Sequence, residues 1–171
     1  EAVRKQMDYA FYHGRMVDDI GFALYKEIWP TPFISTLVKD CVARGKDISE
    51  GGGRYSRFGV ITTTTIDLAN SMAAMKKLVF EDKKLTMKQL REALAADFEG
   101  HEDIQRMCFD APKYGNDDDY VDSIAKKWYE TIYEIQRKYP DFQGRPTFPI
   151  AYSHALHFNF GLMCGALPNG R

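Results

Sequence analysis

Cysteine is scarce: three residues, at 41, 108 and 164, in a chain of 171. That number and scatter exclude a disulfide framework and a CxxC metal site, and make a reducing, cytoplasmic setting the expectation. Charge of one sign is lacking too, since 23 Lys and Arg balance 24 Asp and Glu. A chain so balanced has no general attraction to nucleic acid or to anionic lipid. No apolar run approaches the roughly 18 residues of a membrane span. Internal repeats and low-complexity segments are also missing. Gly51-Gly52-Gly53 lacks the spacing and the lysine of a phosphate loop and precedes a strand pattern, so it reads as a flexible turn.

What is there is a soluble composition, 44% hydrophobic and 27% charged, arranged mostly with helical periodicity. Val3, Met7, Ala10, Gly14, Val17, Gly21 and Leu24 form one stripe of a first helix that Pro30 ends. Its two glycines are expected to mark a close helix contact, although each costs helix stability. Thr31 as N-cap, Pro32 at the first position and Gly45 beyond the last turn predict a second helix. Ile34, Leu37, Val38, Cys41 and Val42 form its buried face.

Tyr55 to Thr65, with four successive threonines, reads as a strand. Leu68, Met72, Met75 and Val79 share one face of the helix that follows. Thr86 and Gln89 form a capping box inside a hydrophobic staple of Leu85 and Leu90, predicting a helix over about 87–98. A short helix ends near Pro112. Asp117, Asp118 and Asp119 then open the best-patterned helix, whose stripe is Val121, Ile124, Ala125, Trp128, Ile132 and Ile135. Thr147 to Ser153 reads as a second strand with Pro149 at its start. Helix-separated strands predict an α/β arrangement.

Few residues point to chemistry. A spacing of three on a strand turns His154 and His157 to opposite faces, and no carboxylate or cysteine lies near them, so no metal site is expected. Asn116 to Asp119 lacks the alternation, the glycine and the distant Glu of a calcium loop, and reads as a helix cap. The chain begins within an amphipathic stretch and stops on the turn Leu167-Pro168-Asn169-Gly170-Arg171, as expected of a piece of a longer protein.

Four stretches carry a resemblance. Pro112-Lys113-Tyr114-Gly115-Asn116-Asp117-Asp118-Asp119-Tyr120-Val121-Asp122 resembles the PKYGNDDDYVD segment of the glycyl radical enzymes, the pyruvate formate-lyase-like family. Asp40-Cys41 through Gly45-Lys46-Asp47, on to Gly51-Gly52-Gly53-Arg54-Tyr55, resembles that family's D-C-x-x-x-G-K-D…G-G-x-R-Y. Lys77 to Thr86 is similar to the stretch that comes next, and Gly165 to Arg171 resembles the family's G-A-T-P-D-G-R, with Asn169 where Asp is commoner.

The resemblance implies that residues 1–171 are a helix-rich internal fragment of a ten-stranded α/β barrel, a partial pyruvate formate-lyase-like domain. It implies an oxygen-sensitive parent enzyme of anaerobic metabolism, a lyase, dehydratase or decarboxylase cleaving C–C, C–O or C–N bonds, or adding radicals. The implied cofactor is a protein-based glycyl radical installed by an S-adenosylmethionine/iron–sulfur activase, and the parent is expected to be a homodimer acting on a small molecule. The Cys-x-Glu and Arg-Val-x-Gly-Tyr loops of such enzymes do not occur in this sequence. The fragment therefore supplies barrel wall and is inactive alone.

Strands near 57–63 and 148–156 would be barrel staves, with Ile61, Tyr152 and His154 lining the substrate cavity. Apolar Ile61, Leu156 and Phe158 point to an aromatic or hydrocarbon substrate. The competing readings are a helical interaction module without chemistry and a degenerate paralogue.

Overall fold

The computed structural model describes residues 1–55, 59–62, 64–151, 155 and 157–171, with only the backbone of Val60 and Ile61. It divides into two compact units, residues 1–61 with 131–150, and residues 62–130 with 151–171. Among the described residues no helix is long and apolar enough to cross a membrane.

In the first unit, α1 (Ala2–Ile28) is the predicted first helix. Arg4 reaches Glu134 at 3.3 Å, and Asp8 accepts from Lys138 at 3.0 Å, both at a sequence offset of 130. α1 therefore runs parallel to the chain around residues 134–138. Its predicted stripe is not buried: Val17 is 65% and Leu24 49% exposed.

The predicted second helix is two. α2 (Pro32–Leu37) and α3 (Cys41–Arg44) are separated because Asp40 adopts a left-handed conformation, φ 75°. Arg54 pairs with that Asp40 carboxylate at 2.9 Å, a tertiary contact that local periodicity does not encode. Of the predicted apolar face only Cys41 is buried; Leu37 and Val42 stand 74% and 70% exposed. A short 3₁₀ turn (Ile48–Glu50) leads to β1 (Gly59–Ile61), which pairs in parallel with β2 (Phe148–Ile150). The register sets Gly59 opposite Phe148, Val60 opposite Pro149 and Ile61 opposite Ile150. Pro149 is central in β2 rather than at its start. Among the described residues β2 has β1 as its one neighbouring strand, and a strand with a free edge can carry a proline.

The second unit is helical. α4 (Thr65–Met75) buries Ala69 and Ala73 against Val121 and Ala125 of α7, while on the face read from sequence Leu68 and Met72 are half-buried and Met75 and Val79 pack, half-buried, against a second core cluster. It continues through a wider turn over Lys76–Glu81, where the Asp82 amide donates to Lys77 O at 2.8 Å. α5 (Met87–Ala95) starts as predicted: the Gln89 amide donates to the Thr86 hydroxyl at 3.2 Å and the Thr86 amide to Gln89 Oε1 at 2.9 Å. The staple residues Leu85 and Leu90 are buried. α6 (Glu102–Asp110) adds Ile104 and Cys108 to the same core. α7 (Asp119–Arg137) has Val121, Ala125, Ile132 and Ile135 buried, as its periodicity predicts, and belongs to both units. α8 (His157–Met163) follows β2.

Candidate functional site

The parallel strand pair is the natural place to look for a site, and two polar clips set its position. The first is built on Asp47. Its carboxylate accepts from the Thr31 amide at 3.0 Å, the Ser49 amide at 2.9 Å and the Ser49 hydroxyl at 2.7 Å. The Ser35 hydroxyl lies 2.7 Å away. The Ser49 hydroxyl leads the groups that hold this carboxyl well below the usual carboxylate range, with Ser35 and the two amides adding to it against the opposing effect of burial. Asp47 and Glu50 also close a capping box over the 3₁₀ turn. Their Asp-x-x-Glu spacing is a signal that sequence reasoning passed over.

The three glycines that follow are not a flexible turn. All are buried, and Gly51 caps the 3₁₀ turn at φ 74°. At Gly52 the chain passes so close to Lys46 that a β-carbon would lie 2.2 Å from its carbonyl oxygen.

The second clip leads into β2. Asp141, with a fully buried side chain, accepts from the amides of Gln143 and Arg145 at 2.9 Å and from Arg145 Nε at 2.8 Å. Thr147 then donates its hydroxyl to Gln136 O at 2.8 Å. At the strands, Ile150 packs over Gly59, where a β-carbon would come within 2.2 Å of its Cδ1.

In the second unit two further motifs act as frame. Lys113 donates to the carbonyls of Cys108, Phe109 and Ala111 at 2.7–2.9 Å, closing the end of α6. The Tyr114 amide donates to Asn70 and the Gly115 amide to Asp122. Asp118 accepts from the Tyr120 amide at 2.9 Å, so the acidic run is the helix cap that its pattern predicts. Tyr120 donates its hydroxyl to Glu81 at 3.0 Å; burial first, and that carboxylate next, push its phenol up to about 12.

The closing turn is tied at three points. The Ala166 amide donates to Asp97, Gln105 to Gly170 O, and Asn169 Nδ2 to Asp67 at 3.0 Å. Asp67 supplies a physical reason for Asn169. Asn169→Asp would set two carboxylates face to face and cost about 1–2 kcal/mol at pH 7. The deficit should shrink as pH falls toward 4 and one carboxyl takes up a proton, and Asp67→Asn should restore stability. Thermal melts of the two single variants and the double variant at both pH values measure this.

With this geometry in place, comparison with known proteins decides the family. The pyruvate formate lyase-like family model matches residues 1–161. The chain belongs to that family. It is 36% identical to the trans-4-hydroxy-L-proline dehydratase of Clostridioides difficile over 178 residues, covering 100% of this chain and 22% of that protein. It is 47% identical to the isethionate sulfite-lyase of Bilophila wadsworthia over 108 residues, 63% of this chain and 13% of the lyase. The crystal structure of the C. difficile hydroxyproline dehydratase with trans-4-hydroxy-L-proline bound superposes with a TM-score of 0.93 at 34% identity, over 100% of this chain and 22% of that one. This pyruvate formate lyase-like chain thus spans about a fifth of the length of its dehydratase relative. These relatives are glycyl radical enzymes, as the four sequence stretches implied.

The three side chains named from sequence as cavity-lining are not placed. Ile61 is described only as backbone in β1, and Tyr152 and His154 lie outside the described residues. Leu156 does too, and Phe158 stands 65% exposed.

Cys41 and Cys108 are buried, and burial pushes the Cys108 thiol up, while Cys164 is exposed. Two residues beyond each stand Ala43, Asp110 and Ala166, none of them Glu. Asp110 lies on the surface with Arg106, 62% exposed.

Proposed function

We propose that this chain is the stretch of a glycyl radical dehydratase or related lyase that builds part of the barrel wall, eliminating a hydroxyl or sulfonate group from a small, functionalised organic substrate. The observation that carries the reading is the match along the whole chain to a dehydratase structure with its substrate bound. Elimination from a small polar molecule is favoured over the aromatic or hydrocarbon chemistry hinted at by single apolar residues, because the hydroxyproline dehydratase and isethionate lyase relatives match at 36% and 47% identity, against 31% for a 4-hydroxyphenylacetate decarboxylase of C. difficile. In the parent a glycyl radical, set by a radical S-adenosylmethionine activase, supplies hydrogen-atom abstraction through a cysteine outside residues 1–171. The residues present here hold β1 and β2 in register through the Asp47 and Asp141 clips and help exclude water from the cavity. The parent is a cytoplasmic homodimer working without oxygen.

The test is to express the complete reading frame anaerobically with an activase and S-adenosylmethionine. Formation of a glycyl radical by electron paramagnetic resonance, followed by elimination from hydroxylated or sulfonated candidates, is the expected result. A reading frame lacking either the Cys-x-Glu or the Arg-Val-x-Gly-Tyr loop, or a complete protein that forms no radical, overturns it.

A further inference from the structure

Among the described residues, the buried side-chain amide of Gln136 stands without a hydrogen-bond partner. It is 1% exposed, and neither its Nε2 nor its Oε1 has a hydrogen-bond partner among the described residues. An amide buried without partners costs stability at both ends. The polar groups beside it are engaged elsewhere. Thr147 donates to backbone carbonyls, Tyr139 donates its hydroxyl to Asp8 at 2.9 Å, and the Arg15 guanidinium holds Asp19.

Gln136 lines a cavity of about 340 Å³ whose other wall is α1, with Met7, Ala10 and Gly14. The same α1 stripe leaves the cavity as Val17, Gly21, Leu24 and Ile28, with Val17 65%, Leu24 49% and Ile28 72% exposed. Two glycines, one heptad apart, sit on this stripe, and a β-carbon at either Gly14 or Gly21 would meet nothing within 4 Å. The close contact that these glycines were expected to mark is therefore not made within the described residues.

We propose that this cavity and stripe receive an extended segment of the same polypeptide from outside residues 1–171, whose main chain runs over Gly14 and Gly21 and whose peptide group pairs with the Gln136 amide. The inference rests on the parent reading above. Three features favour a segment of chain over a small molecule. From Met7 to Ile28 the stripe is about 30 Å long at 1.5 Å per residue, far beyond a metabolite. Glycines let a backbone approach where side chains would block it. A primary amide offers a donor and an acceptor, the complement of a peptide C=O and N–H. The dehydratase relative is nearly five times longer than this chain, so such a segment is available.

The experiment uses the full-length protein, its intact mass measured first. A photo-crosslinking benzoylphenylalanine at Val17 is expected to join this position to a peptide of the same molecule outside residues 1–171. Gly14→Leu, whose β-carbon meets nothing within 4 Å among the described residues and whose longer side chain would fill the track over the glycine, is expected to abolish that crosslink. Gln136→Leu should weaken it and lower protection from hydrogen exchange in the linked peptide. Crosslinks confined to residues 1–171, or formed to a second molecule, overturn the proposal while leaving the parent reading intact. An intact mass matching 171 residues overturns both.

Discussion

Gly52→Ala is expected to cost about 3 kcal/mol or more and to sharply reduce soluble yield. The added methyl would lie 2.2 Å from Lys46 O, 2.9 Å from Lys46 C and 3.0 Å from Asp47 O. All three atoms belong to backbone, so no rotamer change relieves the clash. Nor can that backbone move freely: Lys46 donates its amide to Cys41 O at 3.1 Å, and Asp47 O accepts from the amides of Glu50 and Gly52 at 3.0 Å. Relief would have to pull apart the turn that carries the chain toward β1. Gly14→Ala is the matched control, since its methyl meets nothing within 4 Å among the described residues and favours the helix. Thermal melts and soluble yields of the two variants measure the contrast. A Gly52→Ala protein as stable as the control would show that the glycine run is as pliable as its composition alone implies.

That run illustrates how much of this chain was legible in its sequence. Local signals read correctly: the Thr86 capping box, the stripe of α7 and the acidic cap before it depend only on neighbours a few residues away. The family was legible because four ordered motifs survive, although their physical job was not. Lys113 closes α6, the Asp40 to Tyr55 stretch folds into a clip, and the closing turn is tied to Asp67 and Asp97. Within the described residues each of them ties neighbouring segments together. The break between α2 and α3 was hidden because Asp40 turns left-handed beside Arg54, fourteen residues away. Gln136 was hidden because a glutamine one position past Ile135 reads as the wet edge of a helix. Of the site itself, sequence gave the two strand positions, and the structure adds their parallel pairing. The side chains of Ile61, Tyr152 and His154 lie outside what the structure describes.

Asp47 carries the second large effect, in two parts. Asp47→Ala removes the acceptor for the Thr31 amide, the Ser49 amide and the Ser49 hydroxyl, and leaves the Ser35 hydroxyl with the Thr31 carbonyl as its acceptor. Hydrogen bonds to a charged acceptor are stronger than neutral ones, so the expected loss is about 2–3 kcal/mol. The second part is a pH dependence whose sign follows from the lowered pKa. A carboxyl whose folded-state pKa lies below its unfolded value binds a proton more readily in the unfolded chain. Its contribution is therefore complete above the unfolded value, near 4, and is lost progressively as pH falls below that toward the folded value. Asp8, Glu50 and Asp82 are lowered as well, by lysines that pair with them, and add to the acid sensitivity. Asp47→Asn separates the contributions. It keeps the shape but sets an NH₂ group against donors, so it should lower stability at pH 7. It should also flatten the decline between about pH 4 and pH 2 relative to the parent sequence, leaving only the slope of the other three carboxylates. Stability measured by denaturant titration at several pH values tests both parts. An Asp47→Asn protein that lost stability in acid as steeply as the parent would show that this clip is held by packing rather than by the carboxylate.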